Sequence, residues 1–158
     1  MLSTTDIVIR LLTALACGAV IGLNRDIRGK PAGFRTFGLV GLGSALVVIV
    51  MHDTPDTGAD ALSRVIQGVL TGIGFLGAGV ILHRQQPAKI AGLTTAAAVW
   101  LTAGLGMAAG AGQLTLVWIA LVLALLVLLL GRPCERLVER LFKRTRRKST
   151  RPGDPPAS

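Results

Sequence analysis

Five long apolar stretches alternate with short polar ones along this chain, at residues 5–23, 36–51, 64–82, 92–109 and 114–130. A transmembrane helix needs roughly 20 mainly apolar residues, so the pattern predicts five membrane-spanning helices and an all-α membrane protein. The polar punctuation is of two kinds. Asp53, Pro55, Asp56, Gly58 and Asp60 have an acidic turn composition, and Gly110, Ala111 and Gly112 make a tight turn. The segments after the first and third stretches are basic. The expected organisation is one transmembrane domain over residues 1–131 and a basic tail over 132–158, with a disordered composition at its end. The first stretch does not read as a secretory signal. Asp6 and no Lys precede it, where a signal needs positive charge, and it stays apolar past Cys17 to Leu23.

Composition agrees. Of 158 residues, 51% are hydrophobic and 16% charged, where soluble domains carry about a quarter charged. The mean hydropathy is +0.64. A net charge of +9 would suggest nucleic acid in a soluble protein, but cytoplasmic loops of membrane proteins collect Lys and Arg. No helix-turn-helix pattern, zinc spacing or aromatic platform argues for a nucleic-acid partner. Two cysteines, Cys17 and Cys134, are too few for a disulfide framework.

Charge also predicts orientation. Arg25, Arg28, Lys30 and Arg35 follow the first stretch, Arg84 and Lys89 follow the third, and the tail is rich in Arg and Lys. With five spans, the expectation is an N-terminus outside and a cytoplasmic C-terminus. Arg64 is the exception, a basic residue on the outer side within a turn of Asp60. Asp6 and Arg10, four apart, share a helix face and can pair, and Arg10 can also snorkel to the interface.

Small residues mark where helices can approach closely. The expected packing positions are Gly18 and Gly22 with Ala14 in the first span, Gly41 and Ala45 in the second, and Gly104 and Ala108 in the fourth. In the third span they are Gly68, Gly72, Gly74, Gly77 and Gly79. That third span allows two readings: close packing at the bundle centre, or a broken helix whose freed carbonyls line a polar site.

Residues 17–36 align without gaps on residues 76–95 at a constant offset of 59. The matches include Gly18/Gly77, Arg25/Arg84, Lys30/Lys89, Gly33/Gly92 and Thr36/Thr95. Spans one and two, and spans three and four, are therefore expected to form parallel repeated hairpins related by an axis along the membrane normal. The two basic loops then lie on the same membrane side. Each repeat ends in Gly and Thr at a helix start, which suits capping and favours anions. The candidate cytoplasmic-face polar site is Asn24, Arg25, Asp26, Arg35, Thr36, Arg84, Lys89, Thr94 and Thr95. An ion, a phosphate and a lipid headgroup all remain open as its ligand, as does simple anchoring of basic loops to anionic lipid.

These residues carry a resemblance. Gly22-Leu23-Asn24-Arg25-Asp26, Ala32-Gly33-Phe34-Arg35-Thr36, Gly72-Ile73-Gly74-Phe75-Leu76-Gly77-Ala78-Gly79, and Gly92-Leu93-Thr94-Thr95-Ala96-Ala97 with Trp100 occur in order. Together they resemble the MgtC/SapB family of bacterial inner-membrane proteins, over residues 11–130. The resemblance implies a compact multi-pass domain in the inner membrane and a link to survival at low magnesium. Many members add a soluble C-terminal domain, and this chain is expected to be a short member without it. The family usually has Glu-Arg-Glu where this chain has Asn24-Arg25-Asp26, and the lost carboxylate weakens cation binding there.

Magnesium takes oxygen ligands, commonly one or two carboxylates with retained waters. Every Asp of the apolar region falls at a predicted interface or loop, whereas transport paths are normally marked by ionisable residues inside the membrane. No metal site or cofactor is therefore expected. His52 and His83 fall at opposite membrane ends, and no nucleophile and base share workable spacing, so the chain is not expected to be an enzyme. The expected function is regulation or interaction, with a magnesium or other cation transporter as the alternative. The expected partners are the lipid bilayer and another membrane protein or a second copy, without nucleic acid.

Overall fold

A computed structural model describes residues 2–54, 58–82 and 92–149. Five α-helices follow in order: α1 Thr4–Ile27, α2 Phe34–Asp53, α3 Ala59–Leu82, α4 Leu93–Gly110 and α5 Leu114–Ser149. All five contain a segment long and apolar enough to cross a membrane. The chain is thus an all-helical, multi-pass membrane protein. By contact density it divides into Met1–Leu121 and Val122–Ser158.

The helices outrun the apolar stretches, and local chemistry says why. Ser3 caps α1, its hydroxyl accepting from the Asp6 amide at 3.1 Å, and Asp6 suits the positive end of the helix. At the other end α1 continues through Asn24, Arg25 and Asp26, which the sequence places at the start of a loop. Arg25 in the last turn complements the negative helix end. Gly29, left-handed at φ 61°, stops the helix, and its N–H donates to the Asp26 carbonyl at 2.9 Å. α3 starts five residues before the predicted position, so Asp60 and Arg64 lie one turn apart on the same helix. α5 continues past the apolar stretch through Pro133 into Arg, Lys, Leu and Glu, all good helix formers.

Within Met1–Leu121, α2 and α4 pack on each other, α1 packs on both, and α3 packs on α4 and more lightly on α2. The core is small and apolar: Ala14, Cys17, Ile21, Phe37, Ala45, Val99 and Ala103 are almost fully buried. Lipid tails are as apolar as side chains, so membrane helices associate through close contact rather than burial from water. Glycine makes this possible. A Cβ on Gly18 would strike the Phe37 carbonyl, and one on Gly106 would strike the Gly41 carbonyl. A Cβ on Gly41 would come within 2.5 Å of the Ala14 carbonyl, and one on Gly110 within 2.6 Å of the Ala45 carbonyl.

Two packing expectations change. On α4 the contact pair is Gly106 and Gly110. Gly104 has open space around it; two residues along a helix is a rotation of about 200°, which turns it away from α2. On α3, among the described residues Gly77 alone meets a neighbour, with an added Cβ 3.5 Å from Ala96, while Gly68, Gly72, Gly74 and Gly79 meet none within 4 Å. Nor is α3 broken: it is one continuous helix from Ala59 to Leu82, so its backbone carbonyls are engaged within it up to the last turn.

Candidate functional site

The last turn of α1 presents Asn24, Arg25 and Asp26 in three directions, because successive helical residues are about 100° apart. Arg25 points inward. It is 3% exposed, and its Nη2 donates to Thr95 Oγ1 at 2.6 Å. Thr95, itself 1% exposed, sits in the first turn of α4. One bond therefore ties the end of α1 to the start of α4 across 70 positions of chain. A buried guanidinium is costly unless it is hydrogen-bonded. The negative end of α1 contributes a favourable field, whereas the start of α4 is the positive end of its own dipole.

Asp26 is exposed and faces the head of α2, where its Oδ2 accepts from the Phe34 amide at 2.8 Å. The residue at the N-cap position, Gly33, makes no side-chain cap, so Asp26 supplies it from seven residues upstream. Glycine at 33 leaves room for this carboxylate, which a Cβ there would have to displace. At 22 glycine is required, because a Cβ would lie 2.5 Å from the Phe34 Cα backbone atom. Asn24 is half-buried, and its Oδ1 is buried without a hydrogen-bond partner among the described residues.

Arg35 and Thr36 are exposed at the start of α2. They head a groove of about 730 Å³ between α2 and α3, walled by residues such as Leu39, Gly43, Ser44, Gly72 and Leu76. Thr94 is exposed. Arg84 and Lys89 lie outside the described residues. The structure thus brings Arg25 to Thr95 and Asp26 to the head of α2, and sets Arg35 with Thr36 at a groove mouth. Among the described residues no group of three His, Cys, Asp or Glu side chains converges as metal ligands would.

Sequence reasoning missed two features. Arg10 donates from Nη1 to the Gly110 carbonyl at 2.7 Å, at the C-terminal end of α4. Gly112, left-handed at φ 80°, leaves room for it: a Cβ there would stand 2.8 Å from Arg10 Nη2. The signal available was an Arg one turn inside an apolar run facing a Gly-rich turn. The groove was the second omission. Its only sequence trace is Gly43 and Ser44, a small and polar pair in an otherwise apolar second span.

The sequence profile described as the MgtC family matches residues 11–137. The chain is 52% identical to protein SrpB of Synechococcus elongatus over 113 residues, which is 65% of this chain and 62% of SrpB. It is 48% identical to the protein named "Putative magnesium transporter YhiD" of Escherichia coli K12, over 79% of this chain and 60% of YhiD. It is 35% identical to protein MgtC of Salmonella typhimurium, over 85% of this chain and 56% of MgtC. The chain therefore spans less than two thirds of the length of these relatives. No solved structure matches it.

Proposed function

The chain belongs to the MgtC family, and on that premise we propose that it is a regulatory or interaction protein of the bacterial inner membrane, linked to magnesium limitation and stress adaptation. The observation that carries this reading is the bond from Arg25 to Thr95. The buried cation in the first motif is an internal tie between α1 and α4, rather than a group lining a path. Asp26 is engaged by a backbone amide, and Asp6 and Asp60 lie in the first turns of α1 and α3. A magnesium site would normally take one or two carboxylates, and a transport path would carry ionisable groups at membrane depth.

A magnesium or other cation transporter is the second reading, favoured by the name of the YhiD relative. The unbroken α3 counts against the version of it that uses freed carbonyls.

Two further features belong to this proposal. One is the parallel duplication. An added Cβ on Gly18 or on Gly77 meets the start of the next helix, at Phe37 and at Ala96, and these residues correspond at the offset of 59. An added Cβ on Gly22 lies 2.8 Å from the Gly33 carbonyl, and one on Gly92 lies 3.3 Å from Ile81 Cα; these two pairs also correspond. The other is orientation, with the N-terminus outside and the tail in the cytoplasm, supported by the basic loops.

The test is flux. Liposomes carrying the purified chain and a magnesium-sensitive dye should show no uptake beyond protein-free liposomes, while cross-linking in native membranes should return a discrete membrane partner. Uptake above the protein-free level would overturn the regulatory reading. Asp26→Ala is a poor control here, because Asp26 holds the head of α2 whatever the function.

A further inference from the structure

We propose that the groove between α2 and α3 is a binding site for one anionic phospholipid, with the headgroup phosphate at Arg35 and Thr36 and an acyl chain along the groove. The proposal does not depend on whether the protein regulates or transports.

The groove has one polar end. Arg35 and Thr36 stand at its head, and the remaining lining is uncharged, running along α2 to Val47. Twelve residues of helix at 1.5 Å each make that wall about 18 Å long. One leaflet of a bilayer core is about 15 Å deep. The groove therefore reaches about as far from its cationic end as an acyl chain reaches from its phosphate. Its volume of about 730 Å³ is in the range of small-molecule sites.

The groove also opens sideways. Leu39, Leu76 and Val47 on its walls are 67%, 50% and 38% exposed, so a lipid can enter from the bilayer without crossing water. It exists because α3 touches α2 lightly while packing on α4, and because Gly43 and Gly72 leave the two walls without side chains. Asp26 already takes the Phe34 amide, which leaves the Arg35 guanidinium and the Thr36 hydroxyl for a phosphate. Arg is suited to that role by its fork of donors.

Charge favours a lipid over a second copy of the chain. Two copies in one membrane pair symmetrically about an axis along the normal. Groove against groove would then set Arg35 opposite the partner's Arg35 at the same depth, like charges facing each other. An anionic lipid brings the opposite charge to that position.

Native mass spectrometry of the full chain in neutral detergent tests this, with phosphatidylglycerol or phosphatidylcholine of the same acyl chains added in turn. The wild type should retain one phosphatidylglycerol about fivefold better than phosphatidylcholine, the scale of one basic residue at an anionic surface. Arg35→Gln should abolish that preference. Arg28→Gln, which removes a loop charge away from the groove, should keep it. Gly72→Leu and Gly43→Leu fill the groove from opposite walls where space is open, and either should abolish retention of both lipids with helicity unchanged by circular dichroism. Four outcomes would overturn the proposal: no headgroup preference in the wild type, equal loss in Arg28→Gln and Arg35→Gln, lipid retained in a folded groove-filled variant, or a groove-filled variant that breaks a dimer and leaves lipid retention unchanged.

Discussion

Replacing Thr95 by Val keeps the shape of the side chain and removes the hydroxyl that accepts from Arg25 Nη2 on α4. Two magnitudes compete over the result. Interhelical hydrogen bonds in membranes average only about 0.6 kcal/mol, because the unfolded reference also finds partners. A bond to a charged group is worth about 1.5–3 kcal/mol, and an unsatisfied buried donor costs about as much. Arg25 is charged and 3% exposed, so the second figure governs: Thr95→Val should cost about 1.5–3 kcal/mol. Thr95→Ser, which keeps the acceptor and loses one buried methyl group, should cost no more than about 1 kcal/mol. Arg25→Met should cost less in the Thr95→Val background than in wild type, with a coupling energy of about 1–3 kcal/mol. The assay is reversible unfolding by SDS titration in mixed micelles, followed by tryptophan fluorescence in a Trp118→Phe background, so that Trp100, on the same helix as Thr95, is the reporter. The reasoning is refuted if Thr95→Val lies within about 0.5 kcal/mol of wild type, or if the two substitutions add without coupling.

Further substitutions test the packing and the cap. Gly106→Ala must push against the Gly41 carbonyl and should cost about 1–3 kcal/mol, whereas Gly68→Ala, in open space, should be neutral or stabilise by up to about 1 kcal/mol through helix propensity; thermal melts in detergent separate the two. Asp26→Ala should lose about 1 kcal/mol of cap energy and speed amide hydrogen exchange at Phe34, and Asp26→Asn, which keeps an acceptor, should recover most of both.

Much of the molecule was legible in the chain. The five helices follow from apolar run length, because any backbone in lipid must satisfy its own hydrogen bonds and a helix does so locally. The Ala14, Gly18 and Gly22 face was also legible, since four-residue spacing on one helix leaves a single side on which backbones can meet. The α4 face was not. Gly104 with Ala108 and Gly106 with Gly110 are equally good small pairs in sequence, and only the position of Gly41 opposite Gly106 separates them. Of the α3 glycines, Gly77 meets α4 and Gly68, Gly72, Gly74 and Gly79 meet no described neighbour, because small residues permit contact and a contact needs a second helix to be there.

The candidate site divides along the same line. That the polar residues gather between the apolar runs was already legible in the chain, because charge is excluded from those runs. What each residue does there followed from the tertiary fold. Helix continuation to Ile27 turned Arg25 from a loop cation into a buried tie, and the same rotation sent Asp26 outward to the head of α2. The light contact of α3 with α2 opened a groove beneath Arg35 and Thr36. A residue's partner depends on helix rotation, and rotation is set by packing against distant segments rather than by the residues on either side.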